Sequence, residues 1–243
     1  MELPYPICCS IGFFKKCCEN SGCCTRVGKL GLKVFSDNRA KIMLFAASLS
    51  FLALILCIVS VCSLTYKDSQ VKSTNWTYGE SDTMEYFVNL YEVIVIVDNA
   101  PDVEIRWDDN DCNEGYCSDC KDACASSITT AIIALITCIP TLQTDLQRST
   151  IKGDLNCQKF MGMFTGFVGT MSTLIALSSY ADGCYRNLPD EDPRGSEIVW
   201  YLGPGFTCLL VATLLKPIDF LIHLLMPVEK PEEETDLSKQ ETK

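Results

Sequence analysis

Histidine is nearly absent from this chain: His223 is the only one in 243 residues. The sequence has no HExxH pair, no GxSxG elbow and no glycine loop of the kind that cradles phosphate. No charged residue falls inside its first three long apolar runs. Together these absences argue against an enzyme, which needs nucleophiles, acids or metal ligands converging at one depth. Positive charge is also scarce, with 20 Lys and Arg against 31 Asp and Glu, a net charge of −11. That sign excludes nucleic acid as a partner of the acidic loops. The first 40 residues contain no short apolar core ahead of a small-residue cleavage site, so no cleavable signal peptide is expected.

What the chain does contain is apolar length. Hydrophobic residues make up 48% of the sequence, gathered into runs at 42–65 (TM1), 126–142 (TM2), 160–180 (TM3) and 198–215 (TM4). A hydrocarbon core of about 30 Å needs roughly 20 apolar residues in a helix. TM1 and TM3 meet this on every face, and TM2 is short and rich in threonine. The expected product is a mostly α membrane protein, built on a left-handed four-helix transmembrane bundle.

The loops between the runs alternate in charge. Residues 1–41 form a basic, cysteine-rich head, and the loop at 143–159 is mildly basic. By contrast, 67–124 holds four Lys/Arg among 14 Asp/Glu, and 181–197 holds two against five. The positive-inside bias places both termini and the 143–159 loop in the cytosol. The loops at 66–125 and 181–197 are then extracellular, which suits the plasma membrane or another secretory-pathway membrane. The acidic tail, 227–243, is expected to be disordered. The sequon at Asn75-Trp76-Thr77 agrees with this sidedness and makes Asn75 a glycosylation candidate.

The sixteen cysteines sort by compartment. Cys112, Cys117, Cys120, Cys124 and Cys184 lie on the oxidising side and are disulfide candidates. Five is odd, so one thiol stays free or Cys62 joins them, and spacing alone does not choose a connectivity. A redox role for the CxxC at Cys117–Cys120 lacks a surrounding thioredoxin-like pattern. In the head, Cys8, Cys9, Cys17, Cys18, Cys23 and Cys24 stand as adjacent pairs among basic residues. That arrangement suits reversible palmitoylation. Zinc is the competing reading, but adjacent cysteines reach one ion poorly. No metal and no other cofactor is expected.

Within the long acidic loop, Val88 to Val97 and Val103-Ile105-Trp107 read as strands, with Asp98-Asn99-Ala100-Pro101 as the turn between them. A third strand near Trp76–Tyr78 would complete a small antiparallel sheet closed by disulfides. Asp108 to Asp111 with Asn113 and Glu114 lacks the EF-hand spacing and reads as a solvated acidic turn.

In TM3, Gly162 and Gly166 form a GxxxG, extended by Gly169, that lets a neighbouring helix approach closely. Beyond TM4, Lys216, Asp219 and His223 fall at i, i+3 and i+7 on one helical face. From 198 to 226 the apolar run is 29 residues, roughly 43 Å of helix and long for a bilayer. The expected solution is a break at Pro217, with 216–226 lying along the interface as an amphipathic helix. The alternative buries Lys216, Asp219 and His223 as a charged relay.

Four spans, a large first outer loop with strands and disulfides, and a short second outer loop resemble the claudin-like four-span membrane proteins. The resemblance is one of topology. Of the first-loop signature of that group, only Trp107 followed by Cys112 and Cys117 is present. With enzyme and transport chemistry disfavoured by the residues, elimination leaves a structural, adhesion or membrane-organising protein acting through contacts with other membrane proteins or with itself. Its partners would be these and the lipid bilayer, with no small-molecule substrate. The alternative is an auxiliary channel subunit or small transporter using Lys216, Asp219 and His223.

Overall fold

The computed structural model describes residues 38–62, 74–97, 101–107, 116–150, 156–226 and 228. The six paired cysteines of the head, Cys112, the acidic run at 108–115 and nearly all of the tail lie outside these residues. Four helices dominate: α1 (Arg39–Val61), α2 (Tyr116–Arg148), α3 (Asn156–Gly183) and α4 (Pro204–Leu225). Each is long and apolar enough to cross a membrane, which points to a multi-pass membrane protein. They pack in a ring, α1 on α2, α2 on α3, α3 on α4 and α4 on α1.

The distribution of side-chain size explains why the ring belongs in lipid. Large apolar residues face outward: Phe45, Phe51 and Ile55 on α1, Ile136 and Ile139 on α2, Phe164 and Phe167 on α3, Leu214 and Leu221 on α4. The buried faces are small or polar, as in Ala46, Ser50, Ala53 and Cys57 of α1. In water this arrangement would leave the larger apolar side chains unburied. In lipid it is favourable, because helices there associate through close packing and hydrogen bonds rather than through hydrophobic burial.

The helices extend past the apolar runs that announce them. α2 has 33 residues, about 50 Å, and α3 has 28, about 42 Å. Pro140 and Pro217 both lie inside helices, where neighbouring helices tolerate the lost backbone bond. The expected break at Pro217 is therefore absent, and residues 216–225 are the last turns of α4 rather than a separate helix. The outward row Val211, Leu214, Ile218, Leu221, Leu225 runs through the proline without interruption. Lys216, Asp219 and His223 lie on the opposite, buried face.

A five-stranded antiparallel sheet caps the end of the ring opposite Arg39 and Leu225. Its strands are β1 (Thr77–Glu80), β2 (Met84–Val88), β3 (Glu92–Val97), β4 (Val103–Arg106) and β5 (Val199–Leu202), in the order β4-β3-β2-β1-β5. Four strands come from the long loop, where three were expected: the segment read as one strand from Val88 to Val97 belongs to two, because the chain turns between Val88 and Glu92, closed by the Asn89 N–H donating to the Glu92 carbonyl. The fifth comes from the segment read as the start of TM4, so that span begins at Pro204 rather than 198. Thr77 pairs with Leu202 and Glu80 with Val199, giving the backbone of 199–202 sheet partners before the chain turns into α4. Gly203 makes the turn possible. A Cβ there would sit 2.2 Å from the Asn75 carbonyl oxygen. Four such helices with an antiparallel cap fit the claudin-like topology.

Sheet and bundle are joined by aromatic packing. Trp76 is fully buried, its ring centroid 4.8 Å from that of Tyr180 on α3 and 5.8 Å from that of Phe206 on α4. Its indole N–H donates to the Ser60 carbonyl of α1 at 3.0 Å. Beside it the Tyr180 and Thr77 hydroxyls are hydrogen-bonded at 2.7 Å. A disulfide between Cys120, near the start of α2, and Cys184, just past α3, closes the same end.

Candidate functional site

The most unusual feature of the bundle is a set of buried charged groups at the end away from the sheet. Arg39, Asp145, Arg148, Lys159, Lys216, Asp219 and His223 are all at most 6% exposed. They come from all four helices. Sequence reasoning found only the three on α4. Asp145, Arg148 and Lys159 fall in the stretch 143–159 that reads as a loop, and Arg39 falls in the head. The loop is in fact shorter, because α2 runs to Arg148 and α3 starts at Asn156. A signal for α2 was present. Thr137, Thr141, Thr144, Asp145 and Arg148 recur at three- and four-residue spacing, a polar stripe that continues past the apolar run.

Three of the cations have a structural role. Lys159 Nζ donates to the carbonyl oxygens of Leu224 and Met226 at 3.0 and 2.9 Å. Arg148 Nη2 reaches the Met226 carbonyl at 3.3 Å, and Arg39 Nη2 donates to the Arg148 carbonyl at 2.9 Å. These are the last carbonyls of α4 and α2, which carry the partial negative charge of a helix C-terminus and have no acceptor role inside the helix. Buried arginine and lysine therefore cap buried helix ends.

His223 sits at the centre. Its Nδ1 is 2.7 Å from Arg148 Nη1 and its Nε2 is 2.7 Å from Asp145 Oδ1 and 3.9 Å from Asp219 Oδ1. The second carboxylate oxygen of Asp145 accepts from Ser50 Oγ at 2.7 Å. Arginine can only donate, so Nδ1 must be the acceptor. The imidazole proton then sits on Nε2 and faces the two carboxylates.

Asp145, Asp219 and His223 bring ligand atoms within 4.8 Å of one another, and they are the only group of this kind among the described residues able to hold a metal ion. The tautomer set by Arg148 argues against it, since a protonated Nε2 has no lone pair to give. The site chemistry is that of a self-compensating polar network.

The glycine motif of α3 makes room for this network. A Cβ at Gly162 would lie 2.5 Å from the His223 ring, one at Gly166 would lie 3.4 Å from Phe220 Cβ, and one at Gly169 would lie 2.8 Å from Lys216 Nζ. Gly162, Gly166 and Gly169 thus seat the polar face of α4 inside this bundle. Lys216 Nζ donates to the Ala134 carbonyl at 3.2 Å and to Cys138 Sγ at 3.0 Å. Beside it is a cavity of about 10 Å³ lined by Ser50, Cys138, Thr141, Gly166, Lys216 and Asp219, room for about one water. Between it and the sheet, the core is filled by Cys57, Ala131, Ala176, Leu177 and Leu209.

At the sheet end, two sequence expectations change. Asn75 is 1% exposed and its Nδ2 donates to the Thr77 carbonyl at 3.0 Å. The nitrogen that would carry a glycan is thus occupied and enclosed, so the folded protein does not offer Asn75 as a glycosylation site. Among the outer cysteines, Cys120 pairs with Cys184 and Cys117 is also disulfide-bonded. Cys124 is a buried free thiol rather than a disulfide member. One helical turn beyond Cys120, it sits against the Asn89 carbonyl, 3.9 Å away, while Cys184 is already taken. Cys62 is free as well, and exposed.

On the sheet itself, Glu92 stands opposite Arg106 and two pairs from Glu104, on the same face. Burial, then a hydrogen bond to Glu104 and that carboxylate's charge, push the Glu92 carboxyl up to about 7, against the pull of Arg106. Asp192 in the short loop moves the other way. Its carboxylate accepts from the backbone N–H of Ser196 and Arg194 and from the Ser81 hydroxyl, which lowers its pKa. That Ser81 contact ties the short loop to the β1–β2 turn. The chain matches no protein-family model and no curated protein sequence.

Proposed function

We propose that this chain is a structural, adhesion or membrane-organising protein that acts through protein–protein contacts, with its sheet outside the cell and its termini in the cytosol. The observation that carries this reading is how firmly the sheet is fixed to the bundle. Trp76, Tyr180, Thr77 and the Cys120–Cys184 disulfide hold the cap on the helices. A cavity beside the charged network has space for about one water. Val199, Tyr201, Leu202 and Val103 leave large apolar side chains exposed at both sheet edges, the kind of surface that partners cover.

The second reading, an auxiliary channel subunit or small transporter, draws its support from the burial of Lys216, Asp219 and His223, since intramembrane ionisable groups mark functional sites by default. One experiment separates the two. Purified protein in liposomes is expected to give no steady ion or solute flux, and mild-detergent pull-down is expected to recover membrane partners. Robust flux abolished by Lys216→Met or Asp219→Asn would overturn the organising role and establish transport.

A further inference from the structure

One face of the sheet, at the opposite end from the charged network, carries an aromatic groove. Phe87 on β2, Tyr78 on β1 and Tyr201 on β5 are direct cross-strand partners, so their rings stand in a row on one face. Adjacent ring centroids in the row are 5.2 and 6.2 Å apart. Two residues along each strand return to the same face, and there Glu80 and Glu85 stand directly opposite one another. The three rings, Glu85, Leu202 and Pro204 line a groove of about 390 Å³. It is open at Tyr201, which is 52% exposed, and closed at Phe87, which is 3% exposed. Among the described residues that line it, none is basic. The groove lies at the membrane surface, because Pro204 is the first residue of α4. That helix has 22 residues, about 33 Å, against a hydrocarbon core of about 30 Å, which leaves Pro204 at headgroup level.

Aromatic rings at that level anchor many membrane proteins without distinguishing one headgroup from another. Here the carboxylate of Glu85 beside the rings adds a charge requirement. Ring faces and a carboxylate both attract a cation, and a set of rings suits a bulky quaternary ammonium. A primary ammonium is compact and strongly hydrated, so it gives up more hydration to enter an aromatic groove. We propose that this groove binds the trimethylammonium headgroup of a choline phospholipid, with Tyr78, Phe87 and Tyr201 against the cation and Glu85 as its counter-charge. The occupant is a lipid rather than a free choline compound because the groove opens beside the start of a span. Farther down α4, Val211 and Leu214 present exposed apolar side chains to the acyl chains of such a lipid. The headgroup covers Tyr201 and Leu202, the exposed end of β5 nearest the bilayer.

The test uses the full-length protein in a maltoside detergent, mixed with equal amounts of dioleoyl phosphatidylcholine, phosphatidylethanolamine and phosphatidylglycerol. Native mass spectrometry counts the lipids retained. Phosphatidylcholine is expected to be retained about fivefold over phosphatidylethanolamine, as a cation–π contact at a part-exposed site provides, with phosphatidylglycerol retained least. Tyr201→Ala and Glu85→Gln should each reduce that preference to below about twofold. Tyr201→Phe keeps the ring and should retain the preference; with Glu85→Gln it decides the question if the alanine variant fails to fold. Soluble phosphocholine, which lacks acyl chains, should displace the lipid only at far higher concentration. Equal retention of the choline and ethanolamine lipids by the wild type, or a preference indifferent to Tyr201→Ala or to Glu85→Gln, would overturn the proposal. Displacement by phosphocholine at the lipid's own concentration would overturn it too, by making the occupant a free solute.

Discussion

Replacing Asp145 by leucine is the sharpest test of the charged network. The substitution removes the 2.7 Å hydrogen bond from Ser50 and the carboxylate that faces His223 Nε2, while Arg148 stays buried against the histidine. A hydrogen bond to a charged group contributes about 1.5–3 kcal/mol. Breaking a buried ion pair in a water-soluble protein costs about 3–5 kcal/mol, because the surviving charge is left uncompensated. The bilayer reduces both figures. Helices that separate within a membrane find other polar partners, and interhelical hydrogen bonds there average only about 0.6 kcal/mol. The network spans helix ends and involves full charges, so Asp145→Leu should fall between these limits, at about 2 kcal/mol, roughly a thirtyfold shift in the folding equilibrium. The triple change Asp145→Leu, Arg148→Met and His223→Leu removes the three groups that face one another and should recover at least half of that loss, since replacing mutually paired buried charges together by apolar groups is often neutral. Reversible unfolding in bicelles, followed by steric trapping, measures both. A single variant within about 0.5 kcal/mol of wild type would refute the reasoning, because the carboxylate would then be holding nothing.

Other expectations follow from single contacts. Gly162→Leu should displace the His223 ring and lower stability more than the same change at Gly166, where the nearest atom is 3.4 Å away; thermal melts of the two variants in one detergent compare them. Cys184→Ser opens the Cys120–Cys184 bridge across a sequence separation of 64, and loop-closure entropy sets an upper limit of about 4 kcal/mol on the loss, readable from the same melts. Because the Glu92 carboxyl is raised to about 7, the folded state holds more protons than the unfolded one between its ordinary value near 4.5 and about 7. Its contribution is full below the lower limit and is lost as pH rises through the upper. Hydrogen exchange in β3 and β4 should therefore quicken from pH 5 to pH 8 beyond its intrinsic rise, and Glu92→Gln should remove that excess. Asn75→Gln should leave electrophoretic mobility unchanged after expression in glycosylating cells, because Nδ2 is enclosed.

Much of this fold is legible from residue order. The four apolar runs mark the helices because span length is dictated by bilayer thickness. The β-branched and aromatic segments of the long loop mark β3 and β4 because such residues suit the pleat, whereas the turn that separates β2 from β3 carries no glycine or proline and so reads through as one strand. The small residues Gly162, Gly166 and Gly169 mark a close helix contact because nothing else permits one. Helix ends were harder to read. Asp145, Arg148 and Lys159 look like loop residues in a chain where charge usually means solvent, and only their partners across the bundle make them helical and buried.

By itself, then, the sequence determined the number of helices, their lipid-facing surfaces and the presence of a sheet, since each depends on local periodicity and transfer energy. Tertiary structure alone decided the rest. It carried α4 through Pro217, because Lys216, Asp219 and His223 find partners on neighbouring helices that an interfacial helix would lack. It moved residues 199–202 from the membrane into the sheet, because β1 offered them backbone hydrogen bonds. It paired Cys120 with Cys184, left Cys124 free and enclosed Asn75. Each of these outcomes rests on which groups meet across the fold, a quantity that neither composition nor spacing contains.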